Sequence, residues 1–266
     1  MSPNGPLSGI RVLCLEQVHV LPQGTDYLTD FGAEVVRVES LDNMTDRKGG
    51  QFPDDKFSEQ WWNESGGFAF RNANKESLCL EVRHPKGRDT FLRLVKNADV
   101  VCDNFRPGTM KRLGFDYDSL VKVNPEIIVM NCCAYGSTGP WSPMGARART
   151  VDVMSGLTHI TGYEGGPALR ASSNYMDHTG ANNVTFAILL ALFQKKETGK
   201  GTRIDFSMQE TGSQSIGAAL LEAQEGYARP RLDPDICGRP LTGFTLAPAT
   251  TTGLPSPVPR TPSGSV

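Results

Sequence analysis

Over residues 10–133, short apolar runs alternate with segments of helical character, and this alternation constrains the fold more than any other feature. Ile10 to Leu15 is an apolar run, Thr25 to Phe31 has helical character ended by Gly32, and Ala33 to Val38 is β-branched again. The pattern returns in SLCLEV (Ser77 to Val82), then in a helix opened by Pro85 and in DVVCDNF (Asp99 to Phe105). A helix over Thr109 to Val123 leads into EIIVMNCCAYG. Strands that alternate with helices predict an α/β fold: an open, mostly parallel sheet with helices on both faces.

Residues 41–67 are polar and without clear period, and read as a long loop over the sheet edge or the site. The segment from Asn174 to Lys196 begins with Asp177 and His178, passes Gly180 and becomes an almost wholly apolar helix. ETGKGTRIDFSM then turns into a strand, and a helix follows around Gln214 to Glu225. From Pro240 onward six prolines, many Thr and Ser and the single charge of Arg260 cannot offset the entropy of ordering the chain. The expected division is a folded domain over residues 1–235 and a disordered tail over 236–266.

A net charge of −2 and a pI near 6.1 give no long-range attraction for nucleic acid or an anionic membrane, so neither is expected as a partner. The first residues lack the pattern of a signal peptide, and the longest apolar run, Phe186 to Phe193, is far too short to span a bilayer. A cytoplasmic or organelle-matrix protein is expected. The six cysteines show no CxxC or CxxH spacing, which disfavours zinc and a disulfide scaffold. Four of them lie in apolar strand-like runs, where a free Cys packs as a small hydrophobe.

The first strand-to-helix turn, EQVHVLPQGTD, has no GxGxxG, and no GxxxxGK[ST] or G-x-S-x-G occurs, so dinucleotide, P-loop and α/β-hydrolase chemistry have no support. The remaining candidates are loops at strand ends, where open α/β sheets bind ligands. They are Glu16 to Pro22, Arg71 to Ser77, Asp103 to Gly114, Ala134 to Trp141 and the stretch around Asp177. Lys75, Arg106, Lys111 and Arg112 could hold phosphates there, and Asn104 with Phe105 an adenine or pantetheine. Taken singly, each is more often an ordinary solvated loop residue than a ligand contact. Asp177 has two readings: a helix cap, or a nucleophile kept ionised and oriented by the same helix-terminal field.

Taken together, the segments resemble one family, the class III CoA-transferases or CaiB/BaiF family. The resemblance runs in register over about residues 6–212 and rests on NFRPG followed by a GF-Y-L-NP-I pattern, the G-x-TGP turn, SGLTHITG and MDHTG. It implies the Rossmann-like large domain of that family. It also implies a carboxylate at Asp177 that attacks an acyl-CoA thioester, passing through a mixed anhydride and an aspartyl-CoA thioester before the acceptor acid reverses the exchange. Backbone N–H groups would serve the developing oxyanion, with CoA a substrate and no metal or redox cofactor required. By the same match the CoA site would draw on Val18, His19, Arg37, Asn74, Lys75, Asn104, Phe105 and Arg112, in an interlocked homodimer or a heterodimer with a paralogous subunit.

Three departures from the family pattern qualify these expectations. Leu21 stands where a glycine lets backbone approach the ligand, and His19 where a glutamine occurs. GARARTVDVMSGL puts Ala148 in place of an acid and Arg147 or its neighbour in place of a His. That disfavours the α-methylacyl-CoA racemases of the family, because an arginine that stays protonated cannot pass a proton between faces. The arginines would bind an acidic acceptor such as a dicarboxylate, or remain surface residues. The small second domain of the family is expected to be largely missing, which leaves a truncated, non-catalytic CoA-binding or interaction relative as the alternative to a transferase.

Overall fold

The computed structural model describes residues 5–42, 44–48, 51–163, 165–170, 174–227 and 231. The Pro/Thr/Ser-rich tail and Cys237 lie outside the described residues. Six strands form one all-parallel sheet: β1 (Arg11–Leu15), β2 (Glu34–Glu39), β3 (Glu76–Cys79), β4 (Val100–Asp103), β5 (Ile128–Cys133) and β6 (Arg203–Ser207), in the order β3-β2-β1-β4-β5-β6. Register is set by pairs such as Val12 with both Val35 and Val100, and Val101 with Val129.

The helices are α1 (Val20–Asp30), α2 (Thr45–Lys48), α3 (Gly66–Arg71), α4 (Pro85–Val95), α5 (Thr109–Leu113) and α6 (Tyr117–Leu120). They continue with α7 (Ala148–Met154), α8 (Leu157–Ile160), α9 (Tyr175–Thr198), α10 (Met208–Ser215) and α11 (Gly217–Gln224). Because side chains alternate across a strand, Val12 and Cys14 join α1 and α9 in one core, while Leu13 and Leu15 join Phe91, Phe115 and Leu120 from the α4–α6 side in the other. Covering on both faces explains why the strands read as continuous apolar runs.

Among the boundaries that differ from the sequence expectation, three have a physical reason that bears on the site. Helix α1 starts five residues before Thr25, since Pro22 lies in the first turn where its missing N–H costs nothing. There Gly24 and Gly180 let α1 and α9 approach: a Cβ at Gly24 would meet Val184 Cγ1 at 2.8 Å, and one at Gly180 would meet Val20 Cγ2 at 2.8 Å. The single helix expected over 109–123 is two, divided at Gly114, whose φ of 70° terminates α5. The polar stretch 41–67 is partly helical and supplies the buried Asp46. Leu21 is fully buried in the core beneath α1, so it does not stand between backbone and ligand as the departure from glycine suggested.

Candidate active site

The strand order reverses between β1 and β4, and at such a switch point the loops leaving the two strands diverge and open a crevice at the carboxyl edge of the sheet. Asn104, just after β4, clamps the loop after β1: its Oδ1 accepts from Gln17 N at 2.9 Å and its Nδ2 donates to Gln17 O at 2.7 Å. The clamp holds Val18 at φ 63°, a left-handed conformation that a β-branched residue adopts only when its surroundings impose it. Val18 N donates to Asp46 Oδ1 at 2.7 Å, a second restraint on the same turn.

Beside this turn lies a cavity of about 700 Å³ whose lining includes Val18, His19, Asn104, Arg71, Arg147 and Asp177. Asp177 is the third residue of α9 and is only 6% exposed. It is not a cap. The N-cap is Asn174, and the backbone N–H of Met176 is taken by Asp152 Oδ1 of α7 at 3.1 Å. The Asp177 carboxylate accepts no hydrogen bond among the described residues, and the ion-pairing group nearest to it is His19, whose Nδ1 lies 3.9 Å away.

Burial and repulsion from Asp152 push the Asp177 carboxyl up to about 7, with Arg71 pulling the other way. The helix-terminal field that would keep Asp177 ionised is opposed by burial, which raises the carboxyl. His19 is moved the opposite way, to about 4, by burial and by the neighbouring charges of Arg71 and His178. Near neutral pH its imidazole is uncharged, so the contact with Asp177 is not an ion pair. His178 itself is exposed, with Nδ1 3.0 Å from Gln23 Oε1 of α1.

Of the other residues singled out from the sequence, Arg37 and Lys75 belong to an ion network beneath the β1 loop. Arg37 bonds Asp46 Oδ2 at 2.6 Å and Asn72 Oδ1 at 3.0 Å, and Lys75 Nζ bonds Glu16 Oε1 at 2.6 Å and Pro22 O at 2.7 Å. Phe105 lines two further cavities, one shared with Arg147 and another of about 320 Å³ with Arg106, Lys111 and Arg203. Asn74 (φ 61°) and Arg112 are exposed and line none of the three cavities; Arg112 donates to Thr109 Oγ1 at 2.9 Å. Sequence reasoning missed Asp152, Asp46 and Arg71. The first two act through tertiary contacts that no local pattern announces, and Arg71 lay inside a segment read for its Asn74 and Lys75.

Known proteins agree with this fold. A family profile described as CoA-transferase family III matches residues 7–238. The chain belongs to CoA-transferase family III. It is 39% identical over 215 residues to an acyl-CoA transferase of Fusarium pseudograminearum, covering 79% of this chain and 46% of that protein. It is 38% identical to an acetyl-CoA:oxalate CoA-transferase of Acetobacter aceti, covering 77% and 51%. A crystal structure of a CaiB/BaiF family protein from Brucella suis superposes with a TM-score of 0.78 at 27% identity, over 86% of this chain and 60% of that one. This family III chain therefore carries a transferase fold and spans about half the length of the curated relatives it matches.

Proposed function

We propose that the chain moves CoA from an acyl-CoA donor to a carboxylic acid, with Asp177 as nucleophile. The observation that carries this reading is a buried carboxylate, without a hydrogen bond, facing a cavity at the switch point of a family III fold. A carboxylate poised near pH 7 is ionised in a large fraction of molecules, and its thin solvation favours attack. Asp177 attacks the thioester carbonyl, the C–S bond breaks, and CoA leaves as thiolate from a mixed anhydride. The thiolate then attacks the side-chain carbonyl of Asp177, releasing the donor acid as carboxylate and leaving an aspartyl-CoA thioester. The acceptor's carboxylate repeats both steps in reverse and restores Asp177. No oxidation state changes, so CoA serves as substrate and the exchange calls for no redox cofactor.

In this reading Val18, His19, Asn104 and Phe105, which line the cavities of the crevice, would hold the pantetheine arm, and Arg106, Lys111 and Arg203 its phosphates. The five described cysteines are free, the condition of a reducing compartment, and we place the protein in the cytoplasm. On incubation with acyl-CoA donors, succinyl-CoA included, intact-mass spectrometry should show an adduct that hydroxylamine converts to a hydroxamate at Asp177, and none in Asp177→Ala. No adduct in the folded wild type from any donor would reject this reading in favour of a non-catalytic relative.

We also propose a dimer of two copies of this chain. Phe186, Leu190 and Phe193 lie on one face of α9 at spacings of four and three, and are 65, 57 and 64% exposed. Sedimentation should give a dimer that Phe186→Lys/Phe193→Lys reduces to monomer; a wild-type monomer at micromolar concentration would contradict it.

A further inference from the structure

Helix α9 needs a cap that its own first residues do not supply. The leading N–H groups of a helix have no partner within it, and the Asn174 side chain at the N-cap accepts none of them. Asn174 O takes Asp177 N at 3.0 Å and His178 N at 3.4 Å. Met176 is fully buried, so its N–H cannot turn to water and must find a partner inside the protein. Asp152 Oδ1, from α7, accepts it at 3.1 Å. The next residue in the chain is Asp177, which carries the reacting carboxylate.

This clamp between α7 and α9 is itself held in place. On α7, Val151 is fully buried in the core and Ser155 Oγ donates to Asp152 O at 3.1 Å. Helix α10 closes against both partners: a Cβ at Gly212 would meet Ser155 Cβ at 2.6 Å and Met176 Sδ at 2.9 Å, and Ser213 Oγ donates to Ser155 O at 3.3 Å. The bond to Met176 needs only one oxygen, which an amide would supply as well as an acid. Asp152 brings a second, Oδ2, which is enclosed, has no hydrogen-bond partner and lies 3.8 Å from Arg170 Nη1. A carboxylate only 1% exposed is a costly cap, and its charge acts on Asp177.

We propose that Asp152 is a positioning residue of the transfer: through the Met176 N–H it fixes the first turn of α9, and with it the direction in which Asp177 meets the thioester. The inference rests on the transferase reading above and adds to it a residue that lines none of the three cavities and so acts through α9. Its charge has a second effect. Repulsion keeps the proton on Asp177 to a higher pH, and the same repulsion makes the carboxylate, once ionised, a stronger base and nucleophile. Arg71 of α3, His19 before α1, Arg147 and Arg149 at the cavity, and His178 beside Asp177 also bear on that carboxylate. All of them stay as they are when Asp152 alone is replaced.

Rapid mixing with succinyl-CoA, an acid quench and intact-mass spectrometry measure how fast the adduct at Asp177 forms. Asp152→Ala should lower the maximal rate about ten-fold or more, with the donor concentration for half-maximal rate within about two-fold of wild type. Asp152→Asn, which keeps an oxygen for Met176 N, should recover most of that loss. In the wild type the rate should rise with pH through about 7, and in Asp152→Asn the midpoint should fall by roughly half a pH unit or more. A residue that only supported the fold would lower Tm and leave that midpoint where it was. A wild-type maximal rate in Asp152→Ala, or an unmoved midpoint in Asp152→Asn, would overturn the proposal. If Asp152→Ala does not fold, the midpoint in Asp152→Asn decides alone. An adduct in the wild type with both variants unchanged would discard the role of Asp152 and keep the transferase; no adduct in the folded wild type would reject both.

Discussion

Lys75→Met is expected to lower stability by about 3–5 kcal/mol, the cost of stranding one member of a buried ion pair. The Lys75 side chain is 1% exposed and that of Glu16 is fully buried. Nζ donates to Glu16 Oε1 at 2.6 Å, Pro22 O at 2.7 Å and Asn72 Oδ1 at 3.1 Å, so all three ammonium protons are used. Without Lys75, Glu16 keeps only the Thr25 hydroxyl at 2.8 Å and Arg37 at 3.8 Å. For a domain of this size the loss corresponds to a fall of roughly 10 °C or more in Tm. The double variant Glu16→Gln/Lys75→Met should recover part of it, since the charge left unpaired is then gone. Thermal denaturation at pH 7.5 separates this from the role implied by family resemblance: a lysine kept only to touch CoA would leave the Tm of the ligand-free protein where it was. Glu16 also begins the loop that carries Val18 and His19, so the same substitution should loosen the site it underlies.

The strands were legible because a parallel sheet covered on both faces needs apolar side chains at successive positions, and runs such as VLCL and IIVMNCC can hardly be anything else. Helix α9 was legible at its mouth, where the acid precedes the apolar run. Helix α7 was not, because RARTVDVM has too few apolar residues to show a period; its Val151 packs against the sheet while Val153 is exposed. The raised pKa of Asp177 could not be read from its own neighbourhood, since burial, the larger cause, and the repelling carboxylate of Asp152 both come from tertiary packing. Nor could spacing show which buried arginine makes no ion pair within 4.0 Å among the described residues. Arg37, Lys75 and Arg71 look alike in the sequence, and only the folded positions of Glu16 and Asp46 commit the first two and leave the third facing the cavity.

The charge on Asp177 has a consequence for stability that does not depend on catalysis. Its carboxyl titrates near 7 in the folded protein against an ordinary value of 3.8, so the native state holds the proton more tightly than the unfolded chain does. Between those two values the unfolded state has lost the proton and the native state has not, and stability therefore falls as pH rises, levelling off above about 7. Asp177→Asn removes this dependence. The amide is no better hydrogen-bonded, but it carries no charge to desolvate. Its gain should be near zero around pH 4, grow through pH 5 and 6, and reach on the order of 3 kcal/mol, or roughly 5–10 °C in Tm, at pH 8. Asp152→Asn keeps an oxygen acceptor for the Met176 N–H while removing the repelling charge, so it should shift the midpoint of this dependence to lower pH. Melting curves of the three proteins from pH 4 to 8 measure both effects. A gain in Asp177→Asn that does not vary with pH would mean that the carboxylate is solvated and ordinary, which would remove the physical basis for treating it as a thinly solvated nucleophile.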